Sequence, residues 1–261
     1  MQIGLLETDE TIIWQPRFAS LVDCRSRLSF SAYRYMASRE TLSTLEKQLR
    51  NFSARVVFMG SGDFHHLAVP LIKRKIGKGP LSVIVFDRHL DAFPAPEGLV
   101  SCGSWIREVV KLPVVRRVVV IGSEDRPPRS LPKITVLSPQ VFYRWLGGKP
   151  EYFSQFFSTV DLYLSIDKDV FRTALTSWGR GDLSVAGLFA FLNRCLNNHR
   201  VIGVDVCGEY KPHGLWPTVE ERRALAWNEK INIALARFFL RWKLLQKQRE
   251  SSAGPRWRSA G

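Results

Sequence analysis

Leu81-Ser82-Val83-Ile84-Val85-Phe86-Asp87-Arg88-His89-Leu90-Asp91 carries the decisive pattern of this chain. Its first half is nearly all apolar and β-branched, as a strand buried on both faces should be. Carboxylates and an imidazole follow at once. In extended chain, residues two apart share a side, so Asp87, His89 and Asp91 can face one point. The arrangement recurs twice. Asp161-Leu162-Tyr163-Leu164-Ser165-Ile166 runs into Asp167-Lys168-Asp169, and Arg55-Val56-Val57-Phe58-Met59 runs into Gly60-Ser61-Gly62-Asp63-Phe64-His65-His66. Further strands are expected over residues 117–121, 133–137 and 201–205, and helices over 38–52, 67–75, 104–111, 184–197 and 219–246. Ser184 is the expected N-cap of the fourth helix. Such alternation predicts an α/β fold: a three-layer α/β/α sandwich with a mainly parallel central sheet. Ligands of such sheets bind beyond the carboxyl ends of the strands, which is where the three polar segments fall.

The bulk properties fit this picture. With 261 residues, 45% hydrophobic and 24% charged, the chain suits one α/β domain over residues 1–250, followed by a basic, disordered tail over 251–261. No stretch approaches the roughly 20 apolar residues of a membrane span. The start of the chain turns acidic at Glu7, Asp9 and Glu10 without a basic leader, so a cytoplasmic protein with no membrane partner is expected. The four cysteines form no CxxC pair, which argues for reduced thiols and against a zinc knuckle. Cys195 reads as core. The net charge of +14 is concentrated partly between Arg237 and Arg258. It reads as a solvated helix face, and no nucleic-acid-binding motif accompanies it. Self-association into a homo-oligomer is left open.

Carboxylates gathered in a partly buried cleft repel one another, and keeping them ionised costs several kcal/mol each unless cations compensate. Oxygen and imidazole ligands without thiolate suit Mn²⁺ best, with Fe²⁺, Co²⁺, Ni²⁺ or Zn²⁺ as alternatives. His65, Asp87, His89, Asp91, Asp167 and Asp169 exceed the needs of one tetrahedral ion. Two divalent ions about 3.5–4 Å apart with bridging carboxylates fit better.

These segments resemble the signatures of the arginase/agmatinase/formiminoglutamase (ureohydrolase) superfamily. Gly62-Asp63-Phe64-His65-His66 is similar to its GGDH-type turn, and Asp87 to Asp91 and Ser165 to Asp169 match its D-x-H-x-D and S-x-D-x-D motifs. The resemblance implies an arginase-like sandwich. It implies His65 and Asp91 on one metal, His89 and Asp169 on the other, and Asp87 and Asp167 bridging them, with Asp91 orienting a bridging hydroxide. It further implies hydrolysis of a linear C–N bond in a small cationic guanidino, formimino or amidino compound. Asp205-Val206-Cys207-Gly208-Glu209-Tyr210-Lys211-Pro212 is similar to the family's late D-x-x-E-x-N-P segment with one residue inserted. Glu209 is therefore expected to act in catalysis by gripping the substrate. Cys102-Gly103 stands where arginases and agmatinases carry a proton-shuttling His-Gly pair, and Trp178 is a candidate to stack on a planar cation. His66 is expected behind the ligands, and His199 and His213 as structural or exposed. Two other readings compete: a single-zinc deacetylase on the same fold, for which His65-His66 would be the paired bases, and a non-catalytic metal-binding protein whose basic surface docks a partner.

Overall fold

The computed structural model describes residues 2–28, 33–148, 159, 161–214 and 216–252, and the side chains of all these except 195–198 and 243–252. The strands are β1 (Ile3–Glu7), β2 (Cys24–Arg27), β3 (Met36–Ser38), β4 (Val56–Phe58), β5 (Leu81–Phe86), β6 (Leu99–Ser101), β7 (Val115–Ile121), β8 (Ile134–Leu137), β9 (Asp161–Asp167) and β10 (Arg200–Cys207). The helices are α1 (Pro16–Ala19), α2 (Arg39–Gln48), α3 (Ala68–Lys73), α4 (Ile106–Val109), α5 (Pro139–Leu146), α6 (Val185–Asn198) and α7 (Val219–Ser252). The expected tail falls on residues 251–261: α7 runs through 252, and 253–261 lie outside the described residues, as does the side chain of Cys195.

Eight strands form one sheet in the order β2-β1-β4-β10-β9-β5-β7-β8, while β3 and β6 pair separately. Every pairing in the large sheet is parallel, so the sheet is wholly rather than mainly parallel over the described residues. Side-chain alternation sorts the strands' residues between two cores. Ile84, Phe86, Leu162, Leu164, Val204 and Val206 face the layer of α5, α6 and α7, built from Phe142, Phe191, Leu235 and Phe239 among others. Val83, Val85, Tyr163 and Cys207 face the layer of α2, α3 and α4, with Leu45, Leu71 and Ile106. This is the expected three-layer sandwich. The Ser184 side chain caps α6 by accepting from the Gly187 N–H at 3.0 Å.

The sheet order positions the site. β4, β10, β9 and β5 are consecutive neighbours, and Cys207 pairs with Asp167 and Phe86 with Ile166 in register. The carboxyl ends of these central strands therefore finish level, and the residues that follow them meet.

Candidate metal centre

Three local devices aim the ligands. Asp87 leaves β5 and accepts the backbone N–H of His89 on Oδ1 at 2.7 Å. Asp167 does the same for Asp169 at 3.0 Å. Each short turn folds its second ligand back over its first. His65 rides on a 3₁₀ turn (Gly62–Leu67) between β4 and α3. Asp91 sits at φ +50°, an unusual conformation for a residue with a side chain. Its Oδ2 accepts the indole N–H of the fully buried Trp105 at 2.8 Å.

All six expected ligands line one cavity of about 220 Å³, together with Gly62, Phe93, Cys102, Gly103 and Trp178. Five of the six are buried; His89 is the partly exposed one. His65 Nδ1 stands 3.2 Å from Asp87 Oδ2, 3.0 Å from Asp91 Oδ2 and 3.7 Å from Asp167 Oδ2. His89 Nδ1 stands 2.9 Å from Asp169 Oδ2 and 3.4 Å from Asp87 Oδ1. Three donor clusters result among the described residues: His65 with Asp87 and Asp91, Asp87 with His89 and Asp169, and His65 with Asp167 and the Cys207 thiol; Asp87 belongs to the first two and His65 to the first and third.

The polar atoms fit a cation pair. Asp87 Oδ2 and Asp169 Oδ2 are buried and accept no hydrogen bond, although an imidazole nitrogen lies close to each. A buried carboxylate oxygen without a donor is costly. Oxygens and ring nitrogens directed at shared points are what a divalent ion collects.

The same crowding displaces the proton affinities. The carboxylates of Asp169 and Asp87 push His89 up to about 11. Burial, reinforced by the charge of Asp87, raises Asp91 to about 7. Burial and the neighbouring Asp167 and Asp87 carry Asp169 well above the carboxylate range. For Asp87 burial pulls upward, but His65 and His89 outweigh it and hold the group low. Burial, aided by Asp91, pushes the Cys102 thiol up to about 12, so it stays neutral at ordinary pH.

Several participants were not singled out by sequence reasoning. His65 Nε2 lies 2.9 Å from Ser165 Oγ, which donates to Asp205 Oδ1 at 2.6 Å. A polar partner on the far ring nitrogen of a metal-binding His fixes its orientation. The signal was present: Ser165 lies two residues before Asp167 on one strand face. The Cys207 thiol donates to Asp167 Oδ2 at 3.2 Å. Trp178 gives its indole N–H to Asp63 Oδ1 at 2.8 Å, and Arg34 Nε holds the other oxygen of Asp63 at 2.9 Å.

Glu209 is placed differently from the expectation of a substrate grip. It is buried and does not line the cavity. Lys168 Nζ and Asn232 Nδ2 both donate to its Oε1, the latter at 2.6 Å, and Gln15 Nε2 donates to Oε2 at 2.6 Å. His66 is buried next to His65 with neither ring nitrogen hydrogen-bonded, and desolvation lowers it to about 3. It is in none of the donor clusters.

Known proteins share this framework. A protein of Thermotoga maritima described as uncharacterized is 34% identical over 202 residues, covering 77% of this chain and 74% of its own. Proclavaminate amidino hydrolase from Streptomyces clavuligerus has the same fold, with a TM-score of 0.63 at 19% identity over 90% of this chain and 92% of that one. So does formiminoglutamase from Trypanosoma cruzi, solved with Mn²⁺, with a TM-score of 0.60 at 15% identity over 90% of this chain and 92% of that one. The model of the arginase family matches residues 11–214, a span that takes in every strand bearing a candidate ligand, and on that match the chain belongs to the arginase family.

Proposed function

We propose that the chain is a hydrolase that cleaves a linear C–N bond in a small guanidino, formimino or amidino compound, using two divalent ions, Mn²⁺ foremost, held at this centre. One observation carries the reading: two donor clusters share Asp87 and leave buried carboxylate oxygens without hydrogen bonds. His65 and Asp91 would hold one ion and His89 and Asp169 the other, with Asp87 and Asp167 between them. Two such ions would supply a water acidified to near neutrality and positive charge to stabilise the group under attack.

The chain's own groups do the rest. Trp105 fixes the Asp91 carboxylate, which would orient the attacking water and take up its proton. Phe93 and Trp178, both partly exposed, line the cavity, and Trp178 offers an aromatic surface to a planar cation. No Lys or Arg is among the residues lining the cavity, so its inner wall suits a cation and not an anion. Cys102, held neutral by burial, cannot shuttle protons as an imidazole does. The leaving amine is therefore protonated by Asp91 or by solvent. Among the described residues no helix is long and apolar enough to cross a membrane.

Metal analysis of the native protein, run beside assays of urea, ammonia and formamide release from guanidino, formimino and amidino compounds, tests the proposal. We expect about two divalent ions per chain and turnover of at least one class. Asp169→Ala should lose metal and turnover together. Full turnover by metal-free protein, or an Asp169→Ala variant with unchanged metal content, would reject it.

A further inference from the structure

Lys168 is the residue between two expected ligands, Asp167 and Asp169, yet it points the other way. Its side chain is fully buried. Nζ donates to Glu209 Oε1 and, at 3.0 Å, to Asn232 Oδ1. Asn232 on α7 also donates to Gln15 Oε1 at 2.8 Å, and Gln15 closes the circuit on Glu209 Oε2. Gln15, Lys168, Glu209 and Asn232 are thus four buried polar residues that satisfy one another.

The circuit ties together the strand ends that carry the site. Lys168 follows β9 and Glu209 follows β10. The Glu209 N–H donates to the Gly60 carbonyl at 3.1 Å, so the end of β4, which leads to His65, is bound in as well. The packing is close: a Cβ on Gly208 would stand 2.3 Å from Asp167 Oδ1 and 2.6 Å from the Lys168 nitrogen. A charge buried here is tolerable only with its partner in place. Glu209, with both oxygens engaged by internal donors, has no free edge for a guanidinium fork.

We infer that Lys168 is a positioning and specificity-determining residue. Its ammonium takes the place of an external cation on Glu209 and holds the β9 and β10 ends so that Asp167 and Asp169 keep their aim. Substrate recognition then falls on the cavity lining itself, which includes Trp178 and Phe93. The substrate need not present a complete guanidinium to a carboxylate. A formimino or simple amidino group, small and planar, suits a lining that has an indole and no Lys or Arg. The inference rests on the hydrolase reading above for the substrate, while the ion pair itself stands on geometry.

The test is a cycle of Lys168→Met, Glu209→Gln and the double variant in the full chain. Three quantities are read: Mn²⁺ affinity by titration calorimetry, Tm, and KM against kcat for a formimino and a guanidino compound. Each single variant should lose Mn²⁺ affinity by about tenfold or more, as loss of a partner behind metal ligands does, and Tm by roughly 10 °C. kcat should fall while KM stays within about twofold, since no substrate contact is removed. The double variant, which buries no charge, should recover most of the Tm and the Mn²⁺ affinity. A rise in KM for the guanidino compound in Glu209→Gln, with Mn²⁺ affinity and Tm unchanged, would return Glu209 to the substrate and overturn the inference. Failure of the double variant to recover Tm would overturn it too. If the native chain binds no Mn²⁺ and turns nothing over, the hydrolase reading fails, and the Tm cycle still decides the pairing of Lys168 with Glu209.

Discussion

At the scale of single residues, the centre shows how burial and charge set proton affinity, and Asp9 shows it away from the ligands. Asp9 is buried beside the start of the His65 segment, with Oδ1 accepting from Thr11 Oγ1 at 2.8 Å and Oδ2 from the Ser61 N–H at 3.2 Å. Desolvation outweighs these donors and raises the group to about 6 from its ordinary 3.8. The folded protein therefore binds a proton between these values that the unfolded chain releases. The contribution is fully present below pH 4 and is lost as pH rises through about 6. The shift corresponds to about 3 kcal/mol. Asp9→Asn should flatten that part of the stability profile. Urea unfolding of both proteins at pH 4.5 and 7 should show the difference between them changing by a sizeable fraction of this amount. An unchanged difference would mean that Asp9 keeps its ordinary affinity in the fold.

At the scale of elements, burial decided most of what could be read in the sequence; β1 is the exception, buried at four of its five residues and yet not among the expected strands. β4, β5, β7, β8, β9 and β10 were visible because strands covered on both faces must be nearly all apolar. β2 was not: Cys24-Arg25-Ser26-Arg27 is an edge strand with half its residues exposed, and polar alternation hides it. β3 and β6 have three residues each, too few to show a period. α5, absent from the expected helices, does carry a local start signal, with Ser138 capping and Pro139 in the first turn. The six candidate ligands were legible because metal chemistry demands rare side chains directly after strands. The circuit around Lys168 was not, because Gln15 and Glu209 lie 194 residues apart and nothing local marks the pair. Gly208 belongs to that junction. It holds φ +87°, which glycine adopts without steric cost, and the close approach to Asp167 leaves no room for a methyl group. Gly208→Ala combines left-handed strain with overpacking and should cost about 3 kcal/mol. Denaturant unfolding measures the cost, and calorimetry should show weaker Mn²⁺ binding in the same variant. A cost below about 0.5 kcal/mol, the size of an ordinary surface change, would show that the β9–β10 junction relaxes freely.

At the scale of the whole molecule, the centre and the sheet depend on each other. Its candidate ligands follow β4, β5 and β9, and His65 leans through Ser165 of β9 on Asp205 of β10. No two neighbouring strands among these four can separate without pulling donors apart. Binding energy at such a site is folding energy, because the unfolded chain offers no comparable donor set. A site filled at 100 times its Kd adds about 2.7 kcal/mol, and two add about 5. For a chain of this length that corresponds to a Tm higher by roughly 10–20 °C. EDTA should therefore lower the Tm of the native protein by about that much, and added Mn²⁺ should restore it. Asp169→Ala, which lacks one donor cluster, should lose most of the response to either. Calorimetric scans with chelator, with Mn²⁺ and with neither distinguish the outcomes. If the native protein melts at one temperature in all three, the carboxylates are held by protons and hydrogen bonds alone. If native protein and variant respond equally, the ions that matter for stability lie elsewhere on the chain.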